Sequence, residues 1–459
     1  MARRLIVTTA LCLYAVAAAA QTQVTRALVG ATVIDVSDGG RASADLPDAV
    51  VLLRGSQIAA VGRRGSLAIP PGTQVVDVSG KFIVPGLVDG FAGVQSQAEA
   101  NAQLYEGVTS VLATGDDRRG TLYLAADPSP HLYAIDSVGS TDDWSLLRND
   151  PAWRDLLADG TAQHELTPAQ TRAQLSEIGR RGIRAVWIGH NITAANTKAI
   201  VEQARQLHIA TYGEFISTPY QVGLDAGTTT LLHMTRFELG LVPADPELAT
   251  DPEGKAANRA YDAVDQVDPS GAVVKSYGDA IRISHVAIMP TFSLFYAALP
   301  EHRNLWKSPV AALFDPTRME GTTDAATGEL KFSKPGARAA VERMALHTFE
   351  LDRALIARGV TVLAASGSTW QGTLPGLSMH TELELLVRAG LTPRAALAAA
   401  TSNYADQFGW TELGKVEPGR RGDLLVLGGD PTLDIRAIDG IEQVWLAGER
   451  IDRDALLKH

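Results

Sequence analysis

Cysteine is almost absent from this chain of 459 residues, in which Cys12 is the single example. Cys12 lies in an apolar N-terminal segment, so the remainder of the chain can form no internal disulfide and offers no cysteine as a metal ligand or nucleophile. Histidine is also sparse, and none occurs between residues 21 and 130. The fold must therefore rely on its hydrophobic core, and a hydrophobic share of 46% can supply a large one.

Positive charge is in deficit as well. The formal net charge is −11, and removal of Arg3 and Arg4 with a leader would make it −13. Nucleic-acid binding depends on a basic surface, so this balance excludes nucleic acid as a partner. The expected partner is a small-molecule ligand or substrate, and the sequence leaves the oligomeric state open.

The N-terminus has the pattern of an export signal. Arg3 and Arg4 precede an apolar stretch at residues 5–16, and alanines at 17–20 provide the small residues that a signal peptidase requires. A membrane anchor needs about 20 apolar residues, and this run is shorter. We therefore predict a signal peptide over residues 1–20, cleavage near Gln21, no stable membrane anchor, and a periplasmic or extracellular protein.

Short β-type runs occur at both ends of the mature chain. The runs lie at residues 27–34, 49–54, 57–61, 74–78 and 82–84, and again at 422–427, 441–446 and 448–450. Gly and Asp clusters separate the N-terminal runs, which is typical of a small antiparallel sheet. We predict that residues 21–84 and 410–459 form one small discontinuous β-sandwich domain.

Between them, strands and helices alternate. Apolar strand candidates lie at residues 87–90, 110–113, 131–135, 185–188, 209–212, 230–233, 287–291 and 361–365, and helical stretches lie between most of them. Repeated strand–helix units predict a parallel sheet, and eight of them favour a closed barrel. The predicted fold class is α/β, with a (β/α)8 barrel over residues 85–409.

Six phrases at the junctions of these elements carry a family resemblance. They are GKFIVPGLVDG at 80–90, LYEGVTSVLATG at 104–115, VGLDAGTTTLLH at 222–233, IMPTFSL at 288–294, SMHTELELLVRAGLTPRAALAAATSNYADQFG at 378–409 and GKVEPGRRGDLLVLGGDP at 414–431. In this order they resemble the amidohydrolase superfamily, in particular its imidazolonepropionase-like and Xaa-Pro-dipeptidase-like branch. The resemblance spans nearly the whole mature chain.

The resemblance implies hydrolysis of C–N bonds by one or two divalent ions at the C-terminal mouth of the barrel, where the ions activate water. Six ligand positions are implied, on strands 1, 4, 5, 6 and 8. This chain has His233 at the strand 6 position. The other five positions carry Phe91, Gly93, Trp187, Tyr212 (or Gly213, by a different count) and Gly367.

Three residues remain as candidates for chemistry. Tyr212 and Glu214 would share one face of strand 5, and with His233 they are the candidate acid–base residues. His190, Glu214 and His233 together would provide a three-ligand set for a single zinc ion, the most that the sequence allows as a cofactor. The alternative for Glu214 is an ion pair with an arginine. The candidate pocket residues are Phe91, Trp187, His190, Ser366, Ser368 and Trp370. His285 lies just before the seventh strand, and a structural hydrogen bond is expected for His380.

Three functions remain open. The first is a C–N hydrolase acting on small amides, cyclic amides or dipeptides with one metal ion. The second is a metal-free enzyme that uses the barrel mouth for acid–base chemistry. The third is a non-catalytic protein that binds a small molecule, because fold alone does not establish function.

Overall fold

A computed structural model describes residues 23–114, 126–139, 166–250, 254–315, 323–332, 336–368 and 372–458. The predicted signal peptide and Trp370 lie outside these residues.

Seven parallel strands form the central sheet, and each pairs with the next along the chain. They are β7 (Leu87–Ala92), β8 (Val108–Thr114), β9 (His131–Ser137), β10 (Ala185–Ile188), β11 (Ala210–Gly213), β12 (Thr230–Leu232) and β13 (Ala287–Met289). The predicted eighth strand forms only an isolated bridge, between Val362 and Ile288. Its backbone still closes the ring, because Leu363 N–H donates to Ile288 O and Gly90 N–H donates to Ala364 O. The fold is therefore a (β/α)8 barrel, as predicted.

Alternate residues of these strands fill the barrel interior. Because neighbouring side chains of a strand point to opposite faces, every second residue points inward. The buried inward cluster includes Val88, Leu112, Ile135, Ala185, Ala210, Tyr212, Leu232, Met289, Leu363 and Ala365. Tyr404 and Trp410 belong to the same cluster. The interior is thus a packed core, and only the residues at the strand ends are available for a site.

Helices follow most barrel strands. They are α1 (Gln97–Tyr105), α2 (Pro168–Arg180), α3 (Ala194–Leu207), α4 (Tyr220–Ala226), α5 (Lys255–Val264), α6 (Ala272–Ile283), α7 (Ala337–Ile356), α8 (Leu377–Arg388), α9 (Pro393–Ala399) and α10 (Ser402–Phe408), with α11 (Arg453–Leu456) near the C-terminus. Their N-termini follow local sequence: Thr167 and Gln170 form a capping box, and Thr392 caps α9 with Pro393 at its first position. Short 3-10 helices include Phe237–Leu241, after β12, and Phe292–Ala298, after β13. In the described part of the chain, no helix is long and apolar enough to span a membrane.

Two smaller sheets lie outside the barrel. Their strands are β1 (Arg26–Val29), β2 (Thr32–Val33), β3 (Ala49–Arg54), β4 (Gln57–Arg63), β5 (Gln74–Asp77), β6 (Phe82–Pro85), β14 (Leu424–Leu427), β15 (Ile441–Leu446) and β16 (Glu449–Arg450). One sheet has the order β4-β3-β1-β5, and the other has the order β16-β15-β14-β6-β2. The pairing of β6 with β14 joins the two ends of the chain, as predicted for the discontinuous sandwich.

The N-terminal runs were expected to form a small antiparallel sheet, and two of their pairings are parallel instead. β1 pairs in parallel with β5, and β2 pairs in parallel with β6. A parallel pair needs a long connection between its strands. The hairpin of β3 and β4 lies between β1 and β5 in the sequence and provides that length.

Candidate active site

Glu214 is the centre of a polar cluster at the C-terminal end of the barrel. It follows β11 directly, and its N–H still donates to Ile188 O, so the strand pairing fixes its backbone. Its carboxylate accepts three hydrogen bonds: from Trp187 Nε1 at 3.0 Å, His190 Nε2 at 2.9 Å and Arg236 Nε at 3.1 Å. The alternative that the sequence left open for Glu214, an ion pair with an arginine, is present.

The pKa of the Glu214 carboxyl is low because of these neighbours. Burial alone would raise the pKa, but His233, His190 and Arg236 outweigh it and lower the pKa from 4.5 to about 2. His233 is itself neutral at pH 7, so Arg236 and the hydrogen bond to His190 account for the stabilisation there. An ionised carboxylate with three donors is a poor acid or base near neutral pH.

His233 and Arg236 belong to one turn after β12. Arg236 Nη1 also donates to the hydroxyl of Tyr261 on α5, so the guanidinium is held between Tyr261 and Glu214. Sequence reasoning missed both Arg236 and Tyr261. The sequence offers one local signal for Arg236, its position three residues after His233. It offers none for Tyr261, because α5 approaches the turn only in the folded chain.

The His233 imidazole lies between Phe91 and Thr291. Its ring meets the Phe91 ring edge-on, with 4.9 Å between the ring centroids and 88° between the planes. Its Nδ1 lies 2.8 Å from Thr291 Oγ1. Burial is the main cause that lowers the pKa of His233 from 6.5 to about 4, against the opposing effect of Glu214. The imidazole is therefore neutral at physiological pH.

Tyr212 lies in the filled interior, below the cluster around Glu214. Its side chain is fully buried, and its hydroxyl donates to Gly90 O across the barrel at 3.1 Å. Burial, with a smaller effect of Asp89, raises the pKa of Tyr212 well above its ordinary value. Its hydroxyl is thus part of the barrel packing, and we find no geometry here for proton transfer to a ligand.

Ser366 contacts a buried carboxylate, Asp89, that sequence reasoning missed, and Ser368 contacts Ser366. Ser366 N–H donates to Asp89 Oδ1 at 2.8 Å, and its hydroxyl donates to Asp89 Oδ2. Ser368 lies 3.0 Å from the Ser366 hydroxyl. Burial, only partly offset by these hydrogen bonds, raises the pKa of Asp89 from 3.8 to about 6. Both serines are buried and support Asp89; neither contacts the Glu214 cluster.

The predicted three-ligand zinc set does not assemble as a metal site. The set was His190, Glu214 and His233, but Arg236 lies against the Glu214 carboxylate, where its positive charge opposes a metal ion. Within the described ranges, no group of three or more His, Cys, Asp or Glu side chains is placed to hold a metal ion. At Gly367, a Cβ would lie 2.7 Å from the Leu294 side chain, so Leu294 fills that space.

Two further histidines that the sequence singled out, His285 and His380, lie apart from this cluster. His285 precedes β13 and is therefore at the opposite end of the barrel strands. His380 is buried in α8, where Nδ1 lies 2.9 Å from Asp439 Oδ1 and Nε2 lies 2.8 Å from Glu106 O. The contacts of His380 agree with the structural hydrogen bond expected for it.

Comparisons with known proteins agree with this fold. The profile of the amidohydrolase family matches residues 314–451. An imidazolonepropionase of Deinococcus deserti is 36% identical over 22% of this chain, and the match spans 26% of that relative's length. The imidazolonepropionase of Deinococcus radiodurans is 25% identical over 90% of this chain and 95% of its own length.

A solved Xaa-Pro dipeptidase with methionine bound in its active site has a similar fold. It superposes with a TM-score of 0.59 and 15% identity, covering 93% of this chain and 99% of its own. This similarity concerns the fold alone. With the family profile over residues 314–451 and the full-length relative, it supports one conclusion: in sequence and fold the chain is similar to proteins of the amidohydrolase superfamily.

Proposed function

We propose that this protein binds a small amide, cyclic amide or dipeptide at the barrel mouth without a divalent metal ion. The observation that carries the proposal is the Arg236–Glu214 pair, with 3.1 Å between Nε and Oε1. A carboxylate at this end of the barrel would suit a metal ion, and here the cation beside it is a guanidinium. Two-metal hydrolysis is therefore not the proposed activity.

The replaced ligand positions support the same proposal. The superfamily resemblance implies six ligands, and five of the positions carry Phe91, Gly93, Trp187, Tyr212 (or Gly213) and Gly367. None of these side chains is a ligand for zinc, which takes nitrogen, sulfur or carboxylate oxygen. His233 alone matches, and a catalytic zinc normally needs three protein ligands.

The side chains at the mouth suit a neutral, hydrogen-bonding ligand. Arg236 and Glu214 cancel each other's charge, and His233 is neutral at pH 7 because its pKa is about 4. Phe91 and Trp187 add aromatic surface, which packs well against planar groups. The names of the relatives, imidazolonepropionase and Xaa-Pro dipeptidase, agree with an amide-type ligand.

Two measurements on the purified mature protein test this proposal. Elemental analysis should find less than about a tenth of an equivalent of zinc, against the full equivalent that a three-ligand site would hold. Small cyclic amides and dipeptides should raise the melting temperature. They should raise it less in Arg236→Gln, whereas Glu177→Gln on the outer surface of α2 is the matched control. Stoichiometric zinc whose removal abolishes C–N hydrolysis would overturn the proposal.

A second candidate function is metal-free catalysis by acid–base groups. The observation in its favour is the neutral His233 imidazole, whose Nε2 is bonded to no described residue. Turnover of an amide in the presence of a chelator, lost in His233→Gln, would establish catalysis. Ligand-dependent stabilisation without turnover would instead identify a binding protein.

Export is part of the proposal. It is supported by the arginines, the apolar stretch and the alanines of residues 1–20. Expression of the full chain should place the protein outside the cytoplasm, with Gln21 as its N-terminal residue by mass spectrometry. Cytoplasmic protein that retains Met1 would contradict it.

A further inference from the structure

Two strained backbone positions lie side by side at the barrel mouth. His233 follows β12 with φ +64°, and Thr291 follows β13 with φ +54°. The left-handed region is uncommon for any residue with a Cβ, and for a β-branched residue such as threonine it is a clear outlier. Such strain persists only where the surrounding structure imposes it, and it concentrates at functional sites.

Backbone pairing imposes both conformations. His233 N–H donates to Met289 O at 2.9 Å, and Met234 N–H donates to Pro290 O at 2.7 Å. The two strand ends therefore stay paired through the strained turn. As a result, the fully buried Thr291 side chain is held against the His233 ring.

The hydrogen bonds of Thr291 determine which imidazole nitrogen carries the proton. The Thr291 hydroxyl has one proton, and it donates that proton to Pro290 O. Oγ1 can then only accept from His233 Nδ1, which lies 2.8 Å away. A neutral imidazole with a proton on Nδ1 has a lone pair on Nε2. His233 Nε2 forms no hydrogen bond with any described residue. It is also not among the buried polar atoms that lack a partner, so it remains accessible to a ligand.

We propose that Thr291 is a positioning residue that fixes His233 in the Nδ1–H form, so that Nε2 accepts a hydrogen bond from a ligand N–H group. This inference rests on the proposed function and adds the recognition chemistry: the ligand is an amide with a free N–H. Phe91, edge-on to the imidazole at 4.9 Å between centroids, keeps the ring from rotating away. A site built to accept from an N–H discriminates strongly against a ligand that lacks one.

The first test needs no ligand. Nitrogen NMR of the 15N-histidine-labelled mature protein at pH 7 reports the protonation of each imidazole nitrogen, and the His233→Gln variant assigns the His233 signals. We expect Nδ1 protonated and Nε2 unprotonated in the wild type and in Thr291→Ser. In Thr291→Val, which retains the β-branch and loses the hydroxyl, we expect a mixture of the two tautomers. A wild-type His233 protonated on Nε2, or no change in Thr291→Val, would overturn the proposal.

The second test compares pyrrolidinone with N-methylpyrrolidinone as probes. The wild type and Thr291→Ser should bind pyrrolidinone at least about tenfold more tightly, corresponding to about 1.4 kcal/mol. Thr291→Val should lose this preference. Equal binding of both probes would contradict N–H recognition. Binding of neither, with the expected tautomer intact, would contradict the proposed amide ligand and leave the role of Thr291 standing, so the two failures are distinguishable.

Discussion

Replacement of Glu214 by glutamine should destabilise the protein in a manner that depends on pH. The Glu214 side chain is only 8% exposed, so solvent screens its interactions weakly. Its pKa falls from 4.5 to about 2 in the folded chain. At about 1.4 kcal/mol for each pKa unit, the ionised carboxylate contributes at most about 3 kcal/mol to the free energy of unfolding at pH 7.

The sign follows from linkage. Because the folded pKa lies below the unfolded one, the contribution is present above pH 4.5 and is lost as pH falls towards about 2. The difference in unfolding free energy between wild type and Glu214→Gln should therefore be largest at pH 7. At pH 3 less than half of it should remain, because Glu214 of the unfolded chain is already protonated there, whereas the folded protein must still take up the proton near pH 2.

Urea denaturation at pH 7, 5, 4 and 3 measures this difference. Glu202→Gln is the control, because Glu202 on α3 also pairs with an arginine, Arg172, but its side chain is 62% exposed. That variant should show no measurable change. A difference for Glu214→Gln that is independent of pH, or below about 1 kcal/mol at pH 7, would refute the description of Glu214 as a buried, arginine-paired carboxylate.

Three further substitutions have defined expectations. Burial lowers the pKa of His380, but Asp439 and Glu106 outweigh it and raise the pKa above 6.5. The protonated imidazole therefore stabilises the fold below pH 6.5, and this stabilisation is lost as pH rises through the folded pKa. His380→Asn should flatten that part of the profile of melting temperature against pH. Burial raises the pKa of Asp89 from 3.8 to about 6, so the protein loses stability as pH rises from about 4 to 6. Asp89→Asn should remove this loss from the profile of melting temperature against pH. An unchanged profile in the variant would contradict the burial effect. A Cβ at Gly90 would lie 1.7 Å from the Tyr404 hydroxyl oxygen, so Gly90→Ala should cost about 1–3 kcal/mol in urea denaturation, whereas Gly440→Ala, with no atom within 4 Å, should be neutral.

Much of the barrel was predictable because its signals are local. The strand predicted at residues 185–188 coincides with β10, and the strand at 49–54 coincides with β3. Each is a short apolar run bounded by polar or glycine residues. The eighth strand was predicted from the same kind of run, but it pairs with its neighbours through only a few hydrogen bonds. The sequence pattern reports apolar periodicity and contains no measure of how regular the pairing will be.

The candidate site was predicted less completely. Glu214, His190, Trp187 and His233 lie at or close to the strand ends, and the first of them accepts hydrogen bonds from the next two; their role as a site stays a prediction. Arg236 was missed because its role depends on a turn that folds back onto β11. Ser366 and Ser368 were placed in the pocket, whereas their hydrogen bonds lead to Asp89.

The sequence by itself determined the resemblance to the amidohydrolase superfamily, the alternation of strands and helices, and the residue types at the strand ends, because these depend on local pattern and identity. Only the tertiary structure decided what those residues do. Hydrogen bonding, burial and charge pairing join residues that are distant in the chain, such as Thr291 with His233 and Arg236 with Glu214. These contacts assign a proton to one imidazole nitrogen and an arginine to the carboxylate, and neither follows from the order of the amino acids alone.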